Sequence, residues 1–357
     1  MKELISFEIK KILKRKKNII FLICLLLITL VIGYKLNKSN NMAESTEKLQ
    51  CEFQMEFFEN EKGKEELINL YREKLDAFDE KSWKEKIEIQ IKIDQYFLDN
   101  NISEYESLDM IYARLEKNKE LLKENIEPIY ENYNMSSYNF LVIFNRNIFP
   151  IFIMIFILLI SSDIVSIEKQ EGTYKFMLLQ PYSRKKVIIA KIIGATIVAL
   201  SVLFIILLFG FLILGLINGF GNPMYPMKFY DLADKSFKFI GIRKFAFILF
   251  MMNFLIVLFL VSVGVLISNI FKDSLSCVSF AMILGVVIFM VNIRTLRPYK
   301  LMYLNPFTYI PAIYTLSGLY VNLISKVNIQ YFFIIIILST IFNYILSIYL
   351  FSKEDII

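Results

Sequence analysis

Apolar residues gather in long unbroken runs, and charge returns only between them. Six runs qualify or come close to spanning length: roughly 18–35, 147–167, 187–217, 245–270, 275–293 and 330–351. A bilayer core about 30 Å thick needs roughly 20 apolar residues of helix, so each run predicts a membrane span. The first is short enough to be a signal-peptide core. No small-x-small cleavage site follows it, however, and Lys16, Lys17 and Lys35 can snorkel to the two surfaces. The fold class expected is an all-α integral membrane protein with six transmembrane helices.

Between the first two spans the pattern changes to helical periodicity with many charges. Ser82-Trp83-Lys84-Glu85 and Ser103-Glu104-Tyr105-Glu106 fit the capping box that starts a helix. Ile87, Ile91 and Leu98 keep helical spacing after the first, and Leu108, Ile111, Leu115 and Leu122 after the second. Asp99-Asn100-Asn101 supplies a turn, and Pro128 limits the last helix. Residues 36–145 therefore read as a helical domain built on an antiparallel hairpin, with room for a third helix over 43–61. At the N-terminus, Ile5, Ile9, Ile12 and Leu13 recur at helical spacing, with Lys2, Lys10, Lys14 and Lys17 mostly elsewhere on the wheel. Residues 1–17 suit an interfacial helix lying along the membrane.

Charge sharpens this division. The whole chain has 357 residues and a net charge of +6, but residues 35–146 hold 16 Lys/Arg against 24 Asp/Glu, a net of −8. The other 245 residues hold 24 against 10, a net of +14. Seven Lys/Arg precede residue 18, and Lys169, Lys175, Arg184, Lys185, Lys186 and Lys191 follow the second span. The positive-inside rule puts both segments in the cytoplasm, giving N-in/C-in topology and an extracellular 36–145. Five Lys/Arg in the loop 218–244, which would lie outside, support this less well. The basic residues sit beside apolar spans, so they argue for membrane lipid and not for nucleic acid.

Several chemistries drop out. Histidine is absent, which removes imidazole bases, ligands and pH switches. Cys24, Cys51 and Cys277 show no C-x-x-C spacing, so no metal site is expected. No G-x-x-x-x-G-K-[ST] occurs, so an ATPase P-loop is not part of this chain. No catalytic residue suggests itself, and an intramembrane enzyme would lack paired carboxylates at membrane depth.

The segment Ser161–Gly194, SSDIVSIEKQEGTYKFMLLQPYSRKKVIIAKIIG, leaves the second span and enters the third. Gly172 can end a helix, Thr173 can cap a short new one, and Pro181 interrupts it before Ser183 caps the next. A short helix bearing Phe176, Met177, Leu178 and Leu179 would then sit just below the membrane between two rigid spans.

At these residues the chain resembles the permease subunits of ABC-2-type ATP-binding-cassette transporters. Glu168, Glu171, Gly172, Thr173, Leu178, Leu179, Pro181, Ser183, Arg184 and Lys191 stand in that family's pattern of Glu, Gly-Thr, a leucine-rich turn, Pro-x-Ser-Arg and a basic start to the third span. The match is close over about 30 residues, and six spans with an interfacial helix and a large insert fit the family across the whole length. The resemblance implies a half-transporter: two permeases, identical or related, carrying two separate ATPase subunits that hold the ATP and Mg, with no cofactor in this chain. It makes residues 168–186 the coupling loop, with Glu168, Glu171, Gly172, Thr173, Phe176, Leu178, Leu179, Pro181, Ser183 and Arg184 as its ATPase-coupling residues. It also makes 294–329 an extracellular, partly re-entrant gate, in which Asn305-Pro306-Phe307 matches the family's turn, and 352–357 a cytoplasmic tail. The location implied is the cell membrane, in bacteria the cytoplasmic membrane.

The spans carry amides and hydroxyls rather than midpoint charges, and Asn253 and Asn343 are candidate path-lining residues. An apolar path favours an amphipathic or hydrophobic cargo: a peptide or bacteriocin, a lipid-like molecule or a drug. The competing reading is a non-transporting sensor or scaffold whose helical domain binds a ligand or partner.

Overall fold

Among the described residues of the computed structural model, six helices are long and apolar enough to cross a membrane. The model describes residues 1–40, 42–59, 63–80, 82–103, 106–174, 182–231, 236–294, 301–319 and 327–353. The six are α2 (Lys16–Asn40), α7 (Ser137–Ser161), α9 (Arg184–Asn218), α10 (Ile242–Ile270), α11 (Ser274–Arg294) and α13 (Ile329–Lys353). Among the described residues the other α-helices are α1 (Lys2–Leu13), α3 (Ala43–Glu59), α4 (Glu65–Glu80), α5 (Trp83–Asp99), α6 (Leu108–Lys123), α8 (Ser166–Gln170) and α12 (Ala312–Leu316). By contacts the chain divides into two units. One holds Met1–Val31, Leu141–Ile213 and Ala246–Ile357, the other Ile32–Phe140 and Leu214–Phe245.

In the first unit α7 is the central helix, with 72% of its most apolar window buried, against 17% for α2 and α13. It begins ten residues before the apolar run expected at 147–167. Asn145 and Arg146 precede the run that starts at Asn147, yet the helix passes through all three as a wide π segment, Phe144–Ile153. Pro150 lies inside that segment, where it has no N–H to give and would crowd the carbonyl one turn back. The wider turn accommodates it. Asn145 Nδ2 donates to the Leu141 carbonyl at 2.8 Å, and its Oδ1 accepts from Asn253 Nδ2 of α10 at 2.7 Å. The polar trio is thus partly spent inside the helix packing. At the other end α7 stops at Ser161, because residues 162–165 turn around Asp163 before α8 begins.

The second unit holds four helices, α3–α6, rather than a hairpin with a third helix. The helix missed in sequence is α4, although Leu67, Tyr71 and Ala77 carry its core-facing period and Glu65 and Glu66 suit its first turn. Cys51, Phe58, Leu67, Tyr71, Ala77, Ile89, Ile93, Phe97 and Ile111 form the core. The α5 face is turned part of the way from the expected one: Ile87 is buried as expected, but so are Ile89 and Ile93, while Ile91 is only half-buried. Ser82 is the N-cap of α5, but its side chain makes no capping hydrogen bond. Glu104 and Tyr105 of the second box lie outside the described residues, and α6 starts at Leu108 after Ser107.

A departure from an all-helical reading lies in 218–244. Strand β1 (Pro226–Asp231) pairs antiparallel with β2 (Ser236–Gly241), with Lys228 opposite Phe239 and Tyr230 opposite Phe237. The alternation Ser236-Phe237-Lys238-Phe239 is a period-two signal that its charges disguised as loop. Lys228 Nζ lies 3.8 Å from the centre of the Phe237 ring, and Lys238 pairs with Asp231 at 2.6 Å.

Candidate functional site

The turn after α7 is built by hydrogen bonds that two spans share. Ser268 Oγ, near the end of α10, accepts from Val165 N–H at 2.8 Å and Ser166 N–H at 3.1 Å, capping α8 from outside its own chain segment. Gly172 follows α8 with φ of +71°, the left-handed conformation that ends a helix cheaply only for glycine. The Thr173 hydroxyl donates back to the Glu168 carbonyl at 3.4 Å. Ser183 Oγ accepts from Lys186 N–H at 3.4 Å as α9 begins. Arg184 donates to the Ser352 carbonyl at 3.2 Å, and the Tyr174 ring packs edge-on against Phe351. Both ends of the segment are therefore held to the last turn of α13. Phe176, Leu178, Leu179 and Pro181 lie outside the described residues.

Of the two glutamates, Glu171 is exposed with Gly172 and Thr173 at the apex, while Glu168 is 3% exposed and points inward. Glu168 Oε1 accepts from Lys191 Nζ of α9 at 2.6 Å and from Lys11 of α1. Lys191 is completely buried and also donates to Glu8 of α1 at 2.9 Å. Beside this triad, Asp163 accepts from Arg15 at 2.6 Å, from Lys17, and from Ser274 Oγ at 3.2 Å. Glu8, Lys11, Glu168 and Lys191 thus form one linked cluster, and Arg15, Lys17 and Asp163 a second.

Glu8 is the residue sequence reasoning missed. The buried positions of α1 are Leu4, Glu8 and Ile12, one step round the wheel from the apolar face read in sequence, and Leu13 is 52% exposed. A glutamate counts as surface in any hydrophobic pattern. The only available signal was the i, i+4, i+8 spacing of Leu4, Glu8 and Ile12, with charges from distant segments available to pair.

Burial alone would push the Glu168 carboxyl up, but Lys191 and Lys11 outweigh it and hold it below the usual carboxylate range. A carboxylate depressed on folding contributes stability at neutral pH and loses it as pH falls through the folded value. Purified protein should hold its unfolding midpoint from pH 7 to 5 and lose stability below about pH 4. Glu168→Gln should remove that step from a thermal-unfolding series. An unchanged acid limb in Glu168→Gln would refute the assignment.

The other residues singled out in sequence fall in two places. Asn253 is buried against Asn145 and joins α7 to α10. Asn343 instead lines a cavity of about 470 Å³ with Pro306, Phe307, Phe259 and Phe342. Its Nδ2 donates to Ser262 Oγ at 3.1 Å. The turn there is shaped by Asn305, whose Oδ1 accepts from Phe307 N–H at 3.0 Å, as an asparagine before proline does when it caps a short turn. The Phe307 ring then meets Phe259 edge-on at 5.2 Å. The structure brings Asn305–Phe307 and Asn343 together and leaves Asn253 apart.

Residues 3–356 match the family model described as ABC-2 family transporter protein. Comparison with curated proteins returns no match.

Proposed function

The chain belongs to the ABC-2 transporter family, and from that premise, which makes it a multi-pass ABC transporter permease, we propose that it is the membrane half of an ATP-driven exporter. Residues 168–186 receive the movement of a separate ATPase, two permeases form the path, and ATP with Mg belongs to the ATPase pair. The observation carrying this reading is the exposed apex Glu171-Gly172-Thr173, held by the Glu168–Lys191–Glu8 triad to the N-terminal helix. A segment that must pass on a push has to be stiff at its base and open at its tip. Buried ion pairs make the base stiff, since their geometry is costly to disturb.

The basic N-terminus and the basic start of α9 support placing both, with the apex, in the cytoplasm. The α3–α6 domain then lies outside. The apolar lining around Asn343, relieved by one amide and one hydroxyl, favours an amphipathic or hydrophobic cargo over an inorganic ion.

The test is co-expression with a candidate ATP-binding-cassette ATPase. Gly172→Pro, or Leu178→Asp with Leu179→Asp, should abolish both co-purification and stimulation of ATP hydrolysis. If the ATPase still co-purified and was still stimulated, the coupling role would be wrong, and a sensor or scaffold would gain ground.

A further inference from the structure

Helix α3 of the α3–α6 domain is apolar on two opposite faces. On the inner one, Ala43, Cys51 and Phe58 are buried, the last two in the core with Leu67, Tyr71 and Phe97. Half a turn round the wheel, Met42 at the entry to the helix, Leu49 and Phe53 recur at i, i+7 and i+11. These three are 62%, 64% and 70% exposed. Phe57 extends the stripe by one turn, exposed although its ring meets Phe58 edge-on at 5.5 Å. A helix that is apolar all round is normally covered on every side. Single exposed apolar residues need no explanation, but an aligned row of them marks a surface that something covers.

The charged residues framing this stripe are acidic. Glu52, Glu56 and Glu59 run along one edge, and the uncharged Thr46 and Gln50 along the other. Lys48, the one basic residue of α3, is half-buried toward the core side. Helix α4, which packs against α3, exposes Glu65, Glu66, Glu73 and Asp76 against a single exposed base, Arg72. From Met42 to Phe57 the stripe spans about 22 Å, some four turns of helix at roughly 1.5 Å per residue. A second copy of the chain fits this face poorly. Residues 35–146 carry a net charge of −8 in each copy, and like charges brought face to face oppose contact.

We infer that the outer face of α3 is a docking site for a cationic amphipathic peptide in helical form. The peptide's apolar side would lie along Met42, Leu49, Phe53 and Phe57, and its lysines or arginines would meet Glu52, Glu56 and Glu59. The acidic surface of α4 would draw such a peptide in from a distance. The inference goes beyond the export reading and does not depend on it. Docking is measured with no ATPase present, and its failure would leave ATPase stimulation untouched.

Full-length protein in nanodiscs of zwitterionic phosphatidylcholine is immobilised, with empty nanodiscs as the reference surface, and binding is read by surface plasmon resonance. The probe is a synthetic leucine–lysine peptide of about 18 residues with one apolar face, long enough to cover the stripe. Its leucine–glutamate counterpart is the control. The lysine peptide should bind saturably and the glutamate peptide should not. Leu49→Glu with Phe53→Glu should weaken binding by about tenfold or more. The unfolding midpoint should stay unchanged, since both side chains are exposed. That double variant adds two negative charges, so diffuse attraction to an acidic domain would strengthen binding instead. Glu52→Gln, Glu56→Gln and Glu59→Gln together should weaken binding and flatten its dependence on salt. Met110→Glu with Tyr112→Glu adds the same charge at exposed positions of α6 and should not weaken it. No binding above the empty nanodiscs would overturn the inference, as would an affinity unchanged or raised by Leu49→Glu with Phe53→Glu. So would a dimer that forms without peptide and is lost in that variant, because a second copy would then be the occupant.

Discussion

Lys191→Met should unfold much of this protein, costing about 3–5 kcal/mol. Lys191 is completely buried, and its ammonium is the shared partner of Glu8 and Glu168, each 3% exposed. Removing it leaves two carboxylates facing one another at the base of α9, with Lys11 able to reach only Glu168. Total stabilities run about 5–15 kcal/mol, so one substitution would consume a large part of it. Thermal unfolding in detergent and the yield of monodisperse protein measure the loss. The triple variant Glu8→Leu, Glu168→Gln, Lys191→Met should recover most of it, because replacing a whole buried pair with uncharged groups is often neutral. Lys11, with a side chain 26% exposed, can return to water. A single variant as stable as the parent, or a triple variant no better than the single, would show that the triad is not a structural clamp. The triple variant also separates stability from coupling. Folded protein with lost ATPase stimulation is expected, since α1 is no longer tied to α8 by charge.

Gly264→Leu should be similarly severe, for a steric reason. A Cβ at Gly264 of α10 would lie 1.8 Å from Ser161 Oγ, 2.7 Å from Ser161 Cβ and 3.2 Å from the Ser161 backbone carbonyl carbon. The hydroxyl could swing away at the cost of its 2.7 Å bond to the Ile157 carbonyl, but Cβ and backbone cannot. The helices would have to separate at the end of α7, where the chain turns into Asp163 and Glu168. Overpacking of this kind costs typically about 1–3 kcal/mol for small additions, so Gly264→Ala should lie in that range and Gly264→Leu beyond it. Ser161→Gly removes the obstructing Cβ and should partly rescue Gly264→Ala. Unfolding midpoints of the two single variants and the double variant decide it. An additive double variant would mean that the close approach carries no energy.

The two predictions mark where sequence reasoning reached and where it stopped. The six spans were legible because membrane helices announce themselves by one local property, some 20 apolar residues in a row. The segment 161–194 was legible because its glycine, proline and basic residues stand at fixed offsets. What escaped needed partners from far along the chain. Glu8 with Lys191, and Asp163 with Arg15 and Lys17, become ion pairs only when residues 146–183 positions apart meet. Asn145 and Arg146 looked like the edge of a loop until Asn253 paired with Asn145. Helix α4 was missed because its charges outnumber its apolar positions, and the β1–β2 hairpin because Lys228 and Lys238, the polar places of a period-two alternation, read as loop charges.

Sequence by itself thus determined the class of molecule: the number of apolar helices, the charge contrast between parts, and the family motif. Those depend on composition and local spacing, which folding does not alter. Tertiary structure decided which charges are buried together, which glutamate faces inward, and which apolar face of α3 is left exposed. The reason is energetic. A buried charge is tolerated only with its partner in place, and that partner is chosen by packing between segments that no local pattern connects.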